Sequence, residues 1–156
     1  MGGPNKYYSF SSDQIINIFN QIKSIFVSDG YKVIIIPSMR TPKEIIDLSV
    51  KEMGSCGHVV TKIDKQAYLS AYALAKYVIV TCDSTSMISE AATSGKPIFV
   101  AHMKTKKNNY RFQKFFKLFK KMGITRDLGE KVETWTYNEH NEAQRIALEL
   151  KNKIKN

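Results

Sequence analysis

Residues Tyr77 to Val100, YVIVTCDSTSMISEAATSGKPIFV, decide how the rest of the chain is read. An apolar run, a small polar corner, a helix and a second apolar run follow one another within them. Val78, Ile79 and Val80 are β-branched and consecutive, the pattern of a strand covered on both faces in a parallel sheet. Asp83 ends that strand. Ser84, Thr85 and Ser86 open a helix that runs to about Ser94, so their hydroxyls and the first free backbone N–H groups converge on one spot suited to an anion. With Thr85 or Ser86 as N-cap, Glu90 falls one turn further along. Gly95 follows the last turn as a C′ residue, and Pro97 opens the next strand, where its missing N–H costs least. Two readings fit the corner. In one, a phosphate or diphosphate rests on Ser84, Thr85 and Ser86 while Glu90 accepts hydrogen bonds from ribose hydroxyls. In the other, the hydroxyls are ordinary caps and Glu90 is a solvated carboxylate, which is the better reading of a strand, turn and helix taken alone.

The 156 residues suffice for one domain with a sizeable core. No apolar run approaches the roughly 20 residues of a membrane span, and no charged-then-apolar leader opens the chain, so a cytoplasmic protein is expected. Met1-Gly2 has the start of a myristoylation motif, but Lys6 stands where Ser or Thr is required. Cys56 and Cys82 show no metal-ligand spacing to His58, His102 or His140, which leaves reduced thiols and no metal. The formal charge of +10, from 24 Lys and Arg against 14 Asp and Glu, points to anionic partners: nucleotide phosphates, nucleic acid or anionic lipid. Nucleic acid is the weakest of these, since charge alone supports it.

Gly2-Gly3-Pro4-Asn5 is a glycine corner of the kind that follows the first, central strand of a Rossmann-like sheet, yet no strand stands before it. Ile15, Ile18, Phe19, Ile22 and Phe26 then mark a helix over 12–28, with Ser11 and Gln14 as a capping box. Val33 to Ile36 reads as a buried strand. The corner Ser38-Met39-Arg40-Thr41-Pro42 lies at its C-terminal end, where open α/β sheets take ligands, making Ser38, Arg40 and Thr41 candidate phosphate contacts. An equally weighted reading is a helix start with Thr41 as cap and Pro42 at the first helical position. A helix from Pro42 to Met53, a strand from His58 to Ile63 and a helix from Asp64 to Ala75 follow, the last turning Tyr68, Leu69, Tyr72 and Ala73 inward or toward a partner domain. After a strand at Ile98 to Ala101 the chain becomes basic, with Phe112, Phe115, Phe116 and Phe119 at helical spacing. A core helix with a basic exterior is preferred there to a helix lying on a membrane surface. Ile124 to Tyr137 reads as a mixed loop, and Asn138 to Lys153 as a closing amphipathic helix.

Four segments together carry a resemblance: Gly2 to Asn5 (GGPN), Ser38 to Pro42 (SMRTP), Asp83 to Pro97 (DSTSMISEAATSGKP) and Trp135 to Asn138 (WTYN). The chain is similar over nearly its whole length to the family of the plant mitochondrial-fission "elongated mitochondria" protein and its bacterial homologues, often labelled nucleoside-diphosphate-sugar epimerases. The segment from Asp83 also resembles the C-terminal-half signature of GT-B nucleotide-sugar enzymes. The resemblance implies a diphosphate on the corner Ser84, Thr85 and Ser86, ribose on Glu90, a nucleotide-sugar as ligand and no separate cofactor. Gly2, Gly3 and Asn5 of the glycine corner, unless that corner is only a flexible terminus, and Ser38, Arg40 and Thr41 of the second corner complete the expected diphosphate set. The chain departs from the GT-B pattern at Thr85-Ser86, where glycines are common. No catalytic base is evident, and in GT-B enzymes the reacting groups come largely from the other half.

The expected fold is α/β: a three-layer, Rossmann-like parallel sheet with helices on both faces, the C-terminal part of a longer protein, its central first strand missing or truncated. In a 3-2-1-4-5 order the strands at Val33 and Val78 flank that absence, to be filled by an N-terminal domain or a second chain. A nucleotide-sugar-binding half of a glycosyltransferase or epimerase-like protein is the leading function. The alternative is a non-enzymatic adaptor for a protein or an anionic membrane surface.

Overall fold

A computed structural model of the chain describes residues 1–129, 131–138 and 142–154. The expected alternation of strands and helices is present. Helix α1 (Ser12–Ile22) buries Ile15, Ile18, Phe19 and Ile22 and continues into a π-helical turn, Lys23–Val27. Strand β1 (Val33–Ile35), helix α2 (Lys43–Met53) with a 3-10 turn at Gly54–Cys56, and strand β2 (Gly57–Val59) come next. After α3 (Lys65–Leu74) come β3 (Val78–Thr81), α4 (Thr85–Ala92), β4 (Ile98–Ala101), α5 (Tyr110–Lys121), β5 (Thr125–Asp127) and α6 (Glu142–Ile154).

All strand pairs are parallel, and helices pack beside them, so the Rossmann-like α/β reading holds. The sheet, however, is divided. Strands β1 and β2 pair, with Val33 opposite Gly57, while β3, β4 and β5 form a second sheet in that order. A groove of about 680 Å³ separates them, with β1 along one side and β3 along the other. The strands at Val33 and Val78, expected not to pair with each other, line this groove from its two sides.

Several boundaries differ from expectation, each for a local reason. Ser11 precedes α1 without a side-chain cap, and the other half of the expected capping box is diverted as well, Gln14 donating its side-chain amide to the Ser9 hydroxyl at 3.3 Å. Strand β2 starts at Gly57 and stops at Val59. One more bond follows, from the Val60 N–H to the Ile35 carbonyl at 2.9 Å, and then Ile63 stands exposed on the way to α3. Within the expected loop at 124–137 lies β5, whose Arg126 and Asp127 are exposed at the sheet edge and so give no apolar signal. Beyond β5, Trp135 packs edge-on against Phe99, with ring centroids 5.1 Å apart, and Arg126 sits 4.4 Å above its ring. The closing helix begins at Glu142; residues 139–141 lie outside the described residues.

Helix α5 is a core helix. Phe116 and Phe119 are buried, Phe112 and Phe115 pack beside them, and Lys114, Lys117, Lys120 and Lys121 face solvent. Helix α3 is the opposite case: Asp64 caps it, accepting from the Gln66 and Ala67 amides, but none of its residues is buried. Tyr68 and Tyr72 line the groove, whereas Leu69 and Ala73, expected on the same face, are exposed. Lys96 holds its other end, donating to the carbonyls of Tyr72, Ala73 and Ala75, where an ammonium also meets the negative end of the helix. No described helix is long and apolar enough to cross a membrane.

Gly57 permits the β1–β2 contact, since a Cβ there would lie 1.9 Å from the Val33 carbonyl oxygen. Gly57→Ala is expected to cost about 1–3 kcal/mol through this overpacking. Gly54→Ala, with nothing within 4 Å of its Cβ position, serves as the near-neutral control. Urea unfolding followed by circular dichroism reads the difference in midpoint.

Candidate functional site

At the C-terminal ends of β1 and β3 three corners meet: Gly2 to Asn5, Ser38 to Thr41, and Asp83 to Ser86. Asp83 joins them. It follows the apolar strand β3, which borders the groove, and the residue is only 2% exposed. Its Oδ2 accepts from the Gly3 amide at 3.0 Å and from the Arg40 guanidinium at 3.0 Å, and its backbone carbonyl accepts from the Asn5 side-chain amide at 2.8 Å. Arg40 also donates to the carbonyls of Gly3 and Pro4. Thr41 donates its hydroxyl to the Gly2 carbonyl at 2.6 Å, and the Gly2 amide donates to the Thr81 hydroxyl at 2.8 Å.

The two glycines are steric requirements of this meeting. A Cβ on Gly2 would lie 2.1 Å from Asp83 Oδ2, and one on Gly3 would lie 2.0 Å from the Arg40 carbonyl oxygen. Asn5 turns the chain by accepting from the amides of Tyr7 and Tyr8 at 2.7 and 3.0 Å. Tyr8 is then buried against Cys82 and receives the Asn109 side-chain amide on its hydroxyl. Burial pushes the Cys82 thiol up to about 11, and its sulfur accepts the Met103 amide; Cys56 is half-exposed, so both thiols are free but only one is reachable.

Every expected site residue except Glu90 lies in these corners, though not all have the same task. Gly2, Gly3, Asn5, Arg40 and Thr41 use the groups described above to hold the corners to one another. Ser38 is likewise committed: its amide donates to the Thr41 hydroxyl and the Met1 carbonyl, and its hydroxyl accepts from the Arg40 amide at 3.2 Å. Pro42, not Thr41, is the residue before α2, because the Thr41 hydroxyl is turned to Gly2. The N-cap of α4 is Ser84, not Thr85 or Ser86: its hydroxyl accepts from the Met87 amide at 3.4 Å, and its carbonyl accepts the Ile88 amide. That places the amides of Thr85 and Ser86 in the first turn, where helices leave N–H groups open. Glu90 lies one and a half turns on, exposed, and lines the groove with Tyr68 and Tyr72. Burial raises both phenols. Tyr72 and Glu90 add to the effect at Tyr68; at Tyr72, Glu90 also raises while the bond to Tyr68 opposes.

Asp83 is the residue whose role the sequence did not reveal. A carboxylate just after an uninterrupted apolar run, with an arginine beyond the end of the strand across the groove, is the signal that marks it. Among the described residues no group of three or more His, Cys, Asp and Glu is placed to hold a metal ion.

The sequence profile described as mitochondrial fission ELM1 matches residues 1–154. The chain belongs to this family. Among curated relatives, an uncharacterized protein of Rickettsia prowazekii, RP120, is 30% identical over 99% of this chain and 46% of its own length. The mitochondrial fission protein ELM1 of Arabidopsis thaliana is 24% identical over 92% of this chain and 32% of its own. The chain therefore spans less than half the length of either relative. No solved structure matches it.

Arg40→Ala would leave the buried Asp83 carboxylate with the Gly3 amide alone. The expected loss is about 1–3 kcal/mol, below the figure for a fully buried pair because the arginine side chain is 43% exposed. Arg40→Lys, which keeps charge but not the planar fork, should recover only part of it. Thermal and urea unfolding of the three proteins check this.

Proposed function

We propose that this ELM1-family chain is a nucleoside-diphosphate-binding half, with the diphosphate seated on the first turn of α4. The observation that carries the reading is the conjunction at one corner of open amides on Thr85 and Ser86, the hydroxyls of Ser84, Thr85 and Ser86, and the N-terminal end of an eight-residue helix. The corner also lies where the strand order turns from β1 and β2 to β3, β4 and β5, the place at which open parallel sheets take ligands. Asp83 does not repel the anion outright, since Arg40 pairs with it at 3.0 Å. In this reading Gly2, Gly3, Asn5, Ser38, Arg40 and Thr41 shape the wall of the site, and Glu90 accepts from the ribose hydroxyls beside the Tyr68 and Tyr72 rings. The ligand is a nucleotide-sugar, as the likeness to GT-B enzymes implies. Chemistry on it would need groups outside this chain.

A second reading, a non-enzymatic adaptor, is favoured by the exposed apolar side chains Ile63, Leu69 and Leu74 on and before α3 and by the fission role in the plant relative's name. Titration calorimetry with UDP, GDP and ADP separates the two. Nucleotide binding in the micromolar to submillimolar range is expected. Thr85→Glu, which sets a carboxylate at the anion position, is expected to abolish it, and Glu90→Ala to weaken nucleotides by about tenfold, some 1.4 kcal/mol, without changing pyrophosphate binding. Absence of binding to all three nucleotides, also in a chain extended at its N-terminus, would leave the adaptor.

A further inference from the structure

We propose that the groove between β1 and β3 seats a further parallel strand, supplied by polypeptide continuous with Met1 on its N-terminal side, which joins the two sheets into one. Its first rung already exists. The Met1 nitrogen donates to the Ile36 carbonyl at 2.8 Å, and the Ser38 amide donates to the Met1 carbonyl at 3.0 Å. Two bonds reaching the residues on either side of Pro37 are a parallel ladder pair, Met1 against Pro37.

Alternation along the strands extends this register. The Ile35 carbonyl accepts from Val60 on the β2 side, so the backbone groups of Ile34 and Ile36 point the other way, into the groove. On the facing wall the amides of Val78 and Cys82 donate to Pro97 and Ala101 of the β4 side, which turns the backbone groups of Ile79 and Thr81 inward. The second residue before Met1 would thus donate to the Ile34 carbonyl and accept from the Ile36 amide, while the residue immediately before Met1 would face Ile79 and Thr81. Backbone groups in the middle of a sheet, left to water, are what such a strand satisfies.

The other two walls are apolar. Ile15, Phe19 and Ile22 of α1 close one face, and Tyr68, Ala71 and Tyr72 of α3 close the other. Side chains of an inserted strand alternate between these faces. The absence of any buried residue in α3 has the same cause, since the layer it would pack on is the empty one, and Ile34 is 49% exposed for the same reason. The occupant is assigned to the same polypeptide by continuity with the Met1 rung and by relatives more than twice the length of this chain. The Met1 ammonium supports it. Burial lowers its pKa from 8.0 to about 6 against the raising pull of Asp83, and an amide in its place would make the same bond without a charge.

The test appends five residues before Met1, either Val-Ile-Val-Ile-Val or Gly-Pro-Ser-Pro-Gly, each after an initiator methionine. The first extension is expected to raise the Tm by about 5 °C or more, to slow amide exchange at Ile34, Ile36 and Ile79 at least tenfold, and to leave the protein monomeric in sedimentation. The second should do none of these. The chain without an extension should gain stability as pH rises from 6 to 8. Its folded amine binds fewer protons than the unfolded one in that window, a gain that the first extension should remove. If the chain without an extension does not fold alone, a cooperative transition conferred by the first extension and not the second supports the proposal equally. Equal behaviour of the two extensions would overturn it. So would a chain without an extension that dimerises and already protects Ile34, Ile36 and Ile79, since a second copy would then fill the groove.

Discussion

The ion pair of Asp83 with Arg40 is the constraint on which the site depends. A carboxylate this deep is costly unless charge and hydrogen bonds meet it. The groups that meet it come from two other corners, the Gly3 amide and the Arg40 guanidinium, both on Oδ2. Neutralising one side chain therefore fixes the relative positions of three loops far apart in sequence. It also dictates composition, because the approach of Gly2 to the carboxylate and of Gly3 to Arg40 leaves no room for side chains.

That dependence explains what was legible in the sequence and what was not. The apolar strands announced themselves, since Val78 to Val80 and Ile98 to Ala101 are continuous apolar runs with a helix start and a glycine stop between them. The phenylalanine spacing of α5 likewise gave its buried face. Strand β5 gave no such signal: Thr125-Arg126-Asp127 is polar, and its pairing is decided by its neighbour β4. The site residues were found as types at strand ends, but their division of labour was hidden. Whether Arg40 or Thr41 faces a ligand or a neighbouring loop depends on a contact some forty residues away along the chain, and local pattern carries no information about it.

The divided sheet and the thin packing of α3 are one fact seen twice. A helix buries residues only if a sheet lies beneath it, and beneath α3 there is a groove. Lys96 then matters more than a surface lysine ordinarily would, because its three bonds to carbonyls at and just beyond the C-terminal end of α3 hold that helix where apolar contact is sparse. The same lysine belongs to the G-K-P segment read at first for its likeness to nucleotide-sugar enzymes, yet it precedes β4, at the end of the sheet opposite the anion corner.

The unequal burial of the two cysteines gives the chain a built-in gauge of its own opening. A water-soluble alkylating reagent has access to the half-exposed Cys56, whereas Cys82 lies under Tyr8 with its sulfur occupied by a backbone amide and its thiolate disfavoured. The rate at which the second thiol becomes modified thus clocks how often the segment from Gly2 to Tyr8 lifts from the sheet, with no engineered probe.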